Sequence, residues 1–156
     1  MERSIDLFAL LAIALFSLSP NQANAAHSAI ALGCCSHHTA KGDFNEFNPG
    51  LGIEYGRLGQ FLTAGVMEDS DKNLSWYTGG GLRGSLNRYT HVGLFLGIVN
   101  RKDRGTIPAI LPSLTLGTDK MGINLVYVPP IQISEQDKRK TQVLWLQFRF
   151  GFNTGF

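Results

Sequence analysis

Between residues 143 and 152 the chain reads V-L-W-L-Q-F-R-F-G-F, so that Leu144, Leu146, Phe148, Phe150 and Phe152 alternate with Val143, Trp145, Gln147, Arg149 and Gly151. Side chains point alternately to the two faces of a strand. One face is therefore wholly apolar and the other carries an amide, a guanidinium and a glycine. A water-soluble sheet buries such an apolar face. Five large apolar groups facing outward together instead match a lipid-facing strand of about 9–11 residues wrapped around a polar interior. The same alternation recurs where Val92, Leu94, Leu96 and Ile98 oppose His91, Gly93, Phe95 and Gly97, and where Leu51, Ile53 and Tyr55 oppose Gly52, Glu54 and Gly56. Turn chemistry between such runs divides the chain into eight predicted strands, over 27–38, 50–56, 60–67, 74–85, 90–99, 107–116, 121–128 and 143–152. An even number of strands that must leave no edge in lipid predicts an all-β chain, an eight-stranded antiparallel up-and-down transmembrane β-barrel.

Composition sharpens this picture. The 156 residues hold one domain of eight strands and little else. Apolar content is 44%, yet beyond the amino terminus no apolar run reaches the roughly 18 residues a membrane helix needs. Charged residues make up only 17%, as an uncharged outer wall requires, and a net charge of +2 makes no case for nucleic acid. Lys138-Arg139-Lys140, the one basic cluster, reads as a solvated turn. Residues 7–18 form an apolar core followed by the small-x-small site Ala23-Asn24-Ala25. That predicts an export signal over 1–25 and a mature barrel over 26–156. Cys34 and Cys35 are adjacent, a separation unsuited to a disulfide. Cys34-Cys35-Ser36-His37-His38 also lacks a metal-ligand spacing, so neither metal nor cofactor is expected.

Two features exceed a plain barrel. Pro108, Pro112 and Pro129 fall in or beside the sixth and seventh strands, where proline withholds a ladder donor. A break there would open the wall sideways toward the bilayer. Gly52, Gly56, Gly79, Gly80, Gly81, Gly93 and Gly97 thin the inner face. An eight-stranded barrel packs its interior or holds one small ligand. An uncharged glycine-lined slot would suit an acyl chain, and the same glycines would equally serve curvature.

Ester transfer needs a hydroxyl, a base and stabilisation of a developing oxyanion. Ser36, Ser70, Ser75, Ser85 and Ser113 supply hydroxyls, and His37, His38 and His91 supply bases. His38 ends the first strand and Asp69-Ser70 follows the third. Those strands run in the same direction, which brings both to one rim, the outer one.

The segments Ser36-His37-His38, Phe44-Asn45-Glu46, Pro49-Gly50-Leu51-Gly52, Met67-Glu68-Asp69-Ser70, Gly79-Gly80-Gly81, His91-Val92-Gly93-Leu94, Pro108…Leu111-Pro112, Tyr127-Val128-Pro129 and Trp145…Phe148-Arg149-Phe150 occur in this order. In order and spacing the chain resembles the PagP-type lipid A palmitoyltransferases, outer-membrane barrels that move a palmitoyl group from a phospholipid to lipid A. The resemblance implies His38, Asp69 and Ser70 as catalytic residues, with His38 in proton transfer and the other two placing substrate groups. It implies Gly81 at the floor of an acyl slot, and access through the wall at Pro112 and Pro129. It further implies a monomer embedded in the bacterial outer membrane, with a phospholipid donor and lipid A acceptor. The segment between His38 and Asn45 is shorter than in the family, and Leu82 stands where a bulky aromatic follows the slot floor. Two other readings stand beside this one: a non-enzymatic small barrel serving at the cell surface, and a lipid A deacylase.

Overall fold

The computed structural model describes residues 27–40, 43–57, 59–102, 104–130 and 141–153. The export signal predicted over 1–25, the loop 132–140 and its Lys138-Arg139-Lys140 cluster lie outside the described residues. The described residues form eight strands: β1 (His27–His38), β2 (Phe47–Arg57), β3 (Gln60–Glu68), β4 (Leu74–Asn87), β5 (Thr90–Arg101), β6 (Gly105–Gly117), β7 (Met121–Val128) and β8 (Val143–Asn153). Each pairs antiparallel with its sequence neighbour and β1 closes on β8, giving a barrel without an edge strand. Short connections join β2 to β3, β4 to β5 and β6 to β7 at one end, hereafter the turn end, where residues 27 and 153 also lie. The other connections, β1 to β2, β3 to β4, β5 to β6 and β7 to β8, lie at the opposite end, the loop end.

The expected faces hold. Leu51, Ile53, Tyr55, Leu62, Leu96, Ile110, Leu144, Phe148, Phe150 and Phe152 are exposed on the outside, whereas Trp145, Gln147 and Arg149 are buried within. Exposed Phe47 and Trp76 lie toward the loop end, and Tyr55, Tyr89 and Phe152 toward the turn end. Aromatic side chains at both ends of an apolar band suit the two membrane interfaces.

One boundary differs by more than two residues. β2 begins at Phe47 rather than residue 50, although Asn48-Pro49 reads as turn chemistry. Asn48 faces inward and is buried, held by the Ser36 hydroxyl across the β1–β2 seam and donating to the Asn45 carbonyl at 3.2 Å. Pro49 falls where the β1–β2 register slips, between Gly33 and Cys35, and an irregular ladder tolerates proline.

The interior corrects two expectations. Space beside Gly33, Gly52, Gly65, Gly79, Gly81 and Gly97 is taken up by aromatic rings rather than left vacant, and Gly80 faces outward beside Leu62. A Cβ at Gly65 would stand 2.5 Å from the Tyr77 hydroxyl, and one at Gly33 2.7 Å from Trp145 Cζ2. At Gly79 it would meet Phe95 Cε2 at 2.8 Å, and at Gly81 Phe61 Cε1 at 2.8 Å. Tyr77 stands edge-on to Phe95 and to Trp145, with ring centroids 6.4 and 6.0 Å apart. The glycines thus seat a belt of rings.

Nor is the interior uncharged. Glu54 receives Arg83 Nη1 and Nη2 at 2.7 and 2.8 Å, and Arg149 Nη2 at 3.0 Å. Ala29 pairs with Glu54 on β2, and Ala31 with Arg149 on β8. Because β1 presents only methyl groups there, the carboxylate and the guanidinium meet in front of it. A buried charge is tolerable when paired and hydrogen-bonded, and this cluster forms the turn-side floor of the interior.

Filling one of the aromatic seats should be costly. Gly65→Val would displace Tyr77 and lower stability by about 1–3 kcal/mol, measurable by denaturant unfolding in detergent micelles. An unchanged midpoint would show that Tyr77 is not seated against Gly65.

Candidate functional site

At the loop end, β1 delivers His38 and the connection after β3 delivers Asp69 and Ser70. His38 Nε2 lies 2.7 Å from Ser70 Oγ. The imidazole is buried and stacked on Phe44, with centroids 4.5 Å apart and planes within 7° of parallel. Its Nδ1 is buried with no hydrogen-bond partner.

Asp69 organises the turn that carries Ser70. Its Oδ1 accepts from the backbone N–H groups of Asp71 at 2.9 Å and Asn73 at 3.0 Å, and its Oδ2 accepts from the Ser75 hydroxyl at 2.9 Å. Asp69 N–H donates to the Asn73 carbonyl at 2.8 Å, closing the turn, and Lys72 adopts φ 61° within it. Arg101, the last residue of β5, places Nε 3.3 Å from Asp69 Oδ2 and Nη2 2.7 Å from Asp71 Oδ2. Asp69 therefore bonds into its own loop and to β5. It makes no hydrogen bond to His38, so the three residues do not form a linear relay in which the acid orients the ring. Asn45 Nδ2 ties the neighbouring connection to Glu68 Oε1 at 2.9 Å.

Behind this rim a cavity of about 190 Å³ runs into the barrel. Ser36, Asp69, Ser70 and Arg101 line its head, and Met67, Val99, Ala109, Leu111, Val126 and Trp145 its apolar shaft. Glu54, Arg83 and Arg149 lie at its base. Ser70 borders the cavity and His38 does not, so the hydroxyl stands between the ring and the enclosed space. Such an arrangement can move a proton to or from a group presented at the cavity head, with His38 as base and Ser70 as the contact.

The three predicted substrate residues stand apart from this lining. Gly81 lies beneath Phe61, and it is Phe61, overlaid by Arg83 at 4.7 Å from the ring centroid, that borders the base of the cavity. Pro112 sits in the wall of β6 and Pro129 just past the end of β7. The β5–β6 register runs unbroken through Pro108 and Pro112. The β6–β7 register covers only Ser113 to Gly117, leaving Gly105 to Pro112 without a partner on β7. Residues 108 and 112 share strand parity, so their missing donors are withheld from the same neighbour, and the ladder that stops is the one with β7.

The remaining candidates disperse. Ser75 is fully buried under Asp69, and Ser36 is occupied with Asn48. His37 faces outward, exposed, near Glu46 at 3.5 Å. Ser85 and His91 pair at the turn end, Oγ to Nδ1 2.7 Å. Arg101 lies beyond the strand predicted over 90–99 and is not among the residues the sequence pattern singles out. Its inward parity with His91, Phe95 and Val99 was the available signal. Phe44 stands in the segment Phe44-Asn45-Glu46 that the resemblance includes, but its stacking on His38 across a connection has no periodicity to reveal it.

No protein-family model matches the chain, and no curated protein matches it. Solved structures do resemble it. A structure from the de novo design of transmembrane β-barrels superposes with a TM-score of 0.60 at 11% identity, covering 85% of this chain and 98% of its own. The de novo designed TMB2.3, solved by solution NMR, gives 0.54 at 15% identity over 83% and 95%. The Yersinia pestis outer membrane protein Ail, determined in a phospholipid bilayer nanodisc, gives 0.50 at 15% identity over 81% and 99%. At these identities the likeness concerns the fold. With the outward apolar face, it defines the chain as a transmembrane β-barrel of the outer-membrane type.

The turn geometry makes a local prediction. Asp69→Ala removes the acceptor of three hydrogen bonds and leaves the buried Ser75 hydroxyl unsatisfied, at a local cost of about 1–3 kcal/mol. Hydrogen exchange at the Asp71 and Asn73 amides should accelerate while β2 and β3 amides stay protected. Unaltered exchange would show that the carboxylate does not hold the turn.

Proposed function

We propose that this barrel is an acyltransferase of the bacterial outer membrane that moves a palmitoyl-class chain from a phospholipid to lipid A, as the PagP-type enzymes do. The observation that carries the reading is the His38–Ser70 pair, 2.7 Å apart, at the head of an apolar cavity inside a transmembrane barrel. The donor's acyl chain lies in the shaft and its ester at the rim. The acceptor hydroxyl attacks the ester carbonyl and gives up its proton to His38 by way of Ser70. The bond to the glycerol oxygen then breaks, and that oxygen takes the proton as the lysophospholipid leaves. Asp69 and Arg101 serve by fixing Ser70 in place. The stretch of β6 without a β7 partner supports access of the acyl chain from the surrounding leaflet. The enzyme works as a monomer and needs no cofactor.

One observation favours a second reading, a non-enzymatic small barrel. Phe61, Tyr77, Phe95 and Trp145 occupy much of the interior, and filling is what a purely structural barrel requires. The fold shared with Ail suits this reading equally.

Mass spectra of lipid A from cells expressing the chain separate these readings. The wild-type chain should add one palmitoyl mass, and His38→Ala or Ser70→Ala should reduce that addition by about 10²-fold or more while the heat-resistant folded band persists on electrophoresis. A wild-type spectrum without the added mass supports the non-enzymatic barrel, and one that has lost an acyl group indicates a deacylase. Undiminished transfer by both variants would remove His38 and Ser70 from the chemistry.

A further inference from the structure

At the turn end, 40 Å³ of enclosed space lies among His27, Arg83, Ser85, His91, Thr115 and Arg149. By the same measure a water needs about 10–15 Å³, so the space holds about three waters, or one small tetrahedral oxyanion. Two guanidiniums, of Arg83 and Arg149, share the buried carboxylate of Glu54, which His27 Nε2 also approaches at 3.6 Å, and the second carboxylate at the pocket, Asp119, lies exposed at its mouth.

The donors are also in excess. A guanidinium has five N–H donors. Arg83 commits two of them, both to Glu54, and its Nε is buried without a hydrogen-bond partner. Arg149 commits Nε and Nη2 to Glu54 and Nη1 to the Asp119 carbonyl at 3.1 Å. His91 is buried, with Nδ1 against Ser85 and Nε2 making no hydrogen bond, although the Gly117 carbonyl faces the ring. The acceptors that oppose an anion are Asp119, exposed at the mouth, and Glu54, already shared. A surplus of buried donors in so small a space is costly unless an acceptor completes it.

We infer that this turn-side pocket binds a phosphate group, held by Arg83, Arg149 and the Ser85–His91 pair. Guanidinium forks suit phosphate oxygens in particular. The site faces the membrane surface opposite His38 and Ser70 and does not depend on their chemistry. The phosphate belongs either to free inorganic phosphate or to a phosphomonoester lipid headgroup.

The test uses the full barrel in alkyl-maltoside micelles, which contain no phosphate, and follows the histidine ring nitrogens by NMR. Titration with inorganic phosphate should shift the His91 resonances saturably and leave those of His38 in place. Ser85→Ala and His91→Gln should each weaken binding about tenfold, read for the second variant from the phosphate-induced rise in Tm. The Ser85 variant keeps the assay decisive if the His91 variant does not fold. Phosphatidic acid incorporated into the micelles, without added phosphate, distinguishes the sources. A shift with either ligand sustains the site and identifies its occupant. No shift with either, or an equal shift from sodium chloride at matched ionic strength, overturns it.

Discussion

Hydrocarbon offers a peptide group no hydrogen-bond partner, and that single deficit dictates most of this structure. Each strand must find both neighbours within the chain, which is why β8 returns to pair with β1 from His27 to His38, with one slip between Gly33 and Cys35. Closure then forces alternate side chains outward into lipid and inward into a confined lumen. A residue's strand parity therefore decides whether it meets acyl chains or other side chains. The β6–β7 seam departs from this rule, and it does so beside two prolines that share one parity and so deprive one neighbour twice.

Inside, the limiting quantity is space. Eight strands enclose too little of it for four large rings unless the facing positions lack side chains, and Gly33, Gly65, Gly79 and Gly81 meet that condition. The rings leave an apolar shaft at the loop side, while Glu54, Arg83 and Arg149 close the turn side with paired charge. Two chemically distinct compartments thus share one lumen. The upper one ends at a serine and a buried imidazole, the lower at a cluster rich in donors.

The alternation of side chains made the strands and their faces legible, because period-two patterning is a local property of the chain. The common rim of His38 and Ser70 followed from strand direction alone. What sequence could not supply was height along the barrel and reach across it. Whether Glu54 meets Arg149 depends on the register of two seams and on the alanines between them. Arg101 reaches Asp69 only because β4, lying between β3 and β5, is short-chained at Ser75. The start of β2 was missed for a comparable reason: Asn48 and Pro49 carry turn chemistry, but a bulge and an inward hydrogen bond overrule it. Gly81 was expected to shape a slot directly, yet its effect passes through the ring it accommodates.

The interrupted seam also bears on the lipid around the molecule. From Gly105 to Pro112, main-chain groups on one flank have no partner in β7, whose pairing with β6 stops at Ser113. In hydrocarbon such groups need a partner from another segment, from water or from lipid headgroups. Whatever meets that need meets it on one flank alone, so the barrel presents the bilayer with a wall that is not equivalent all the way round.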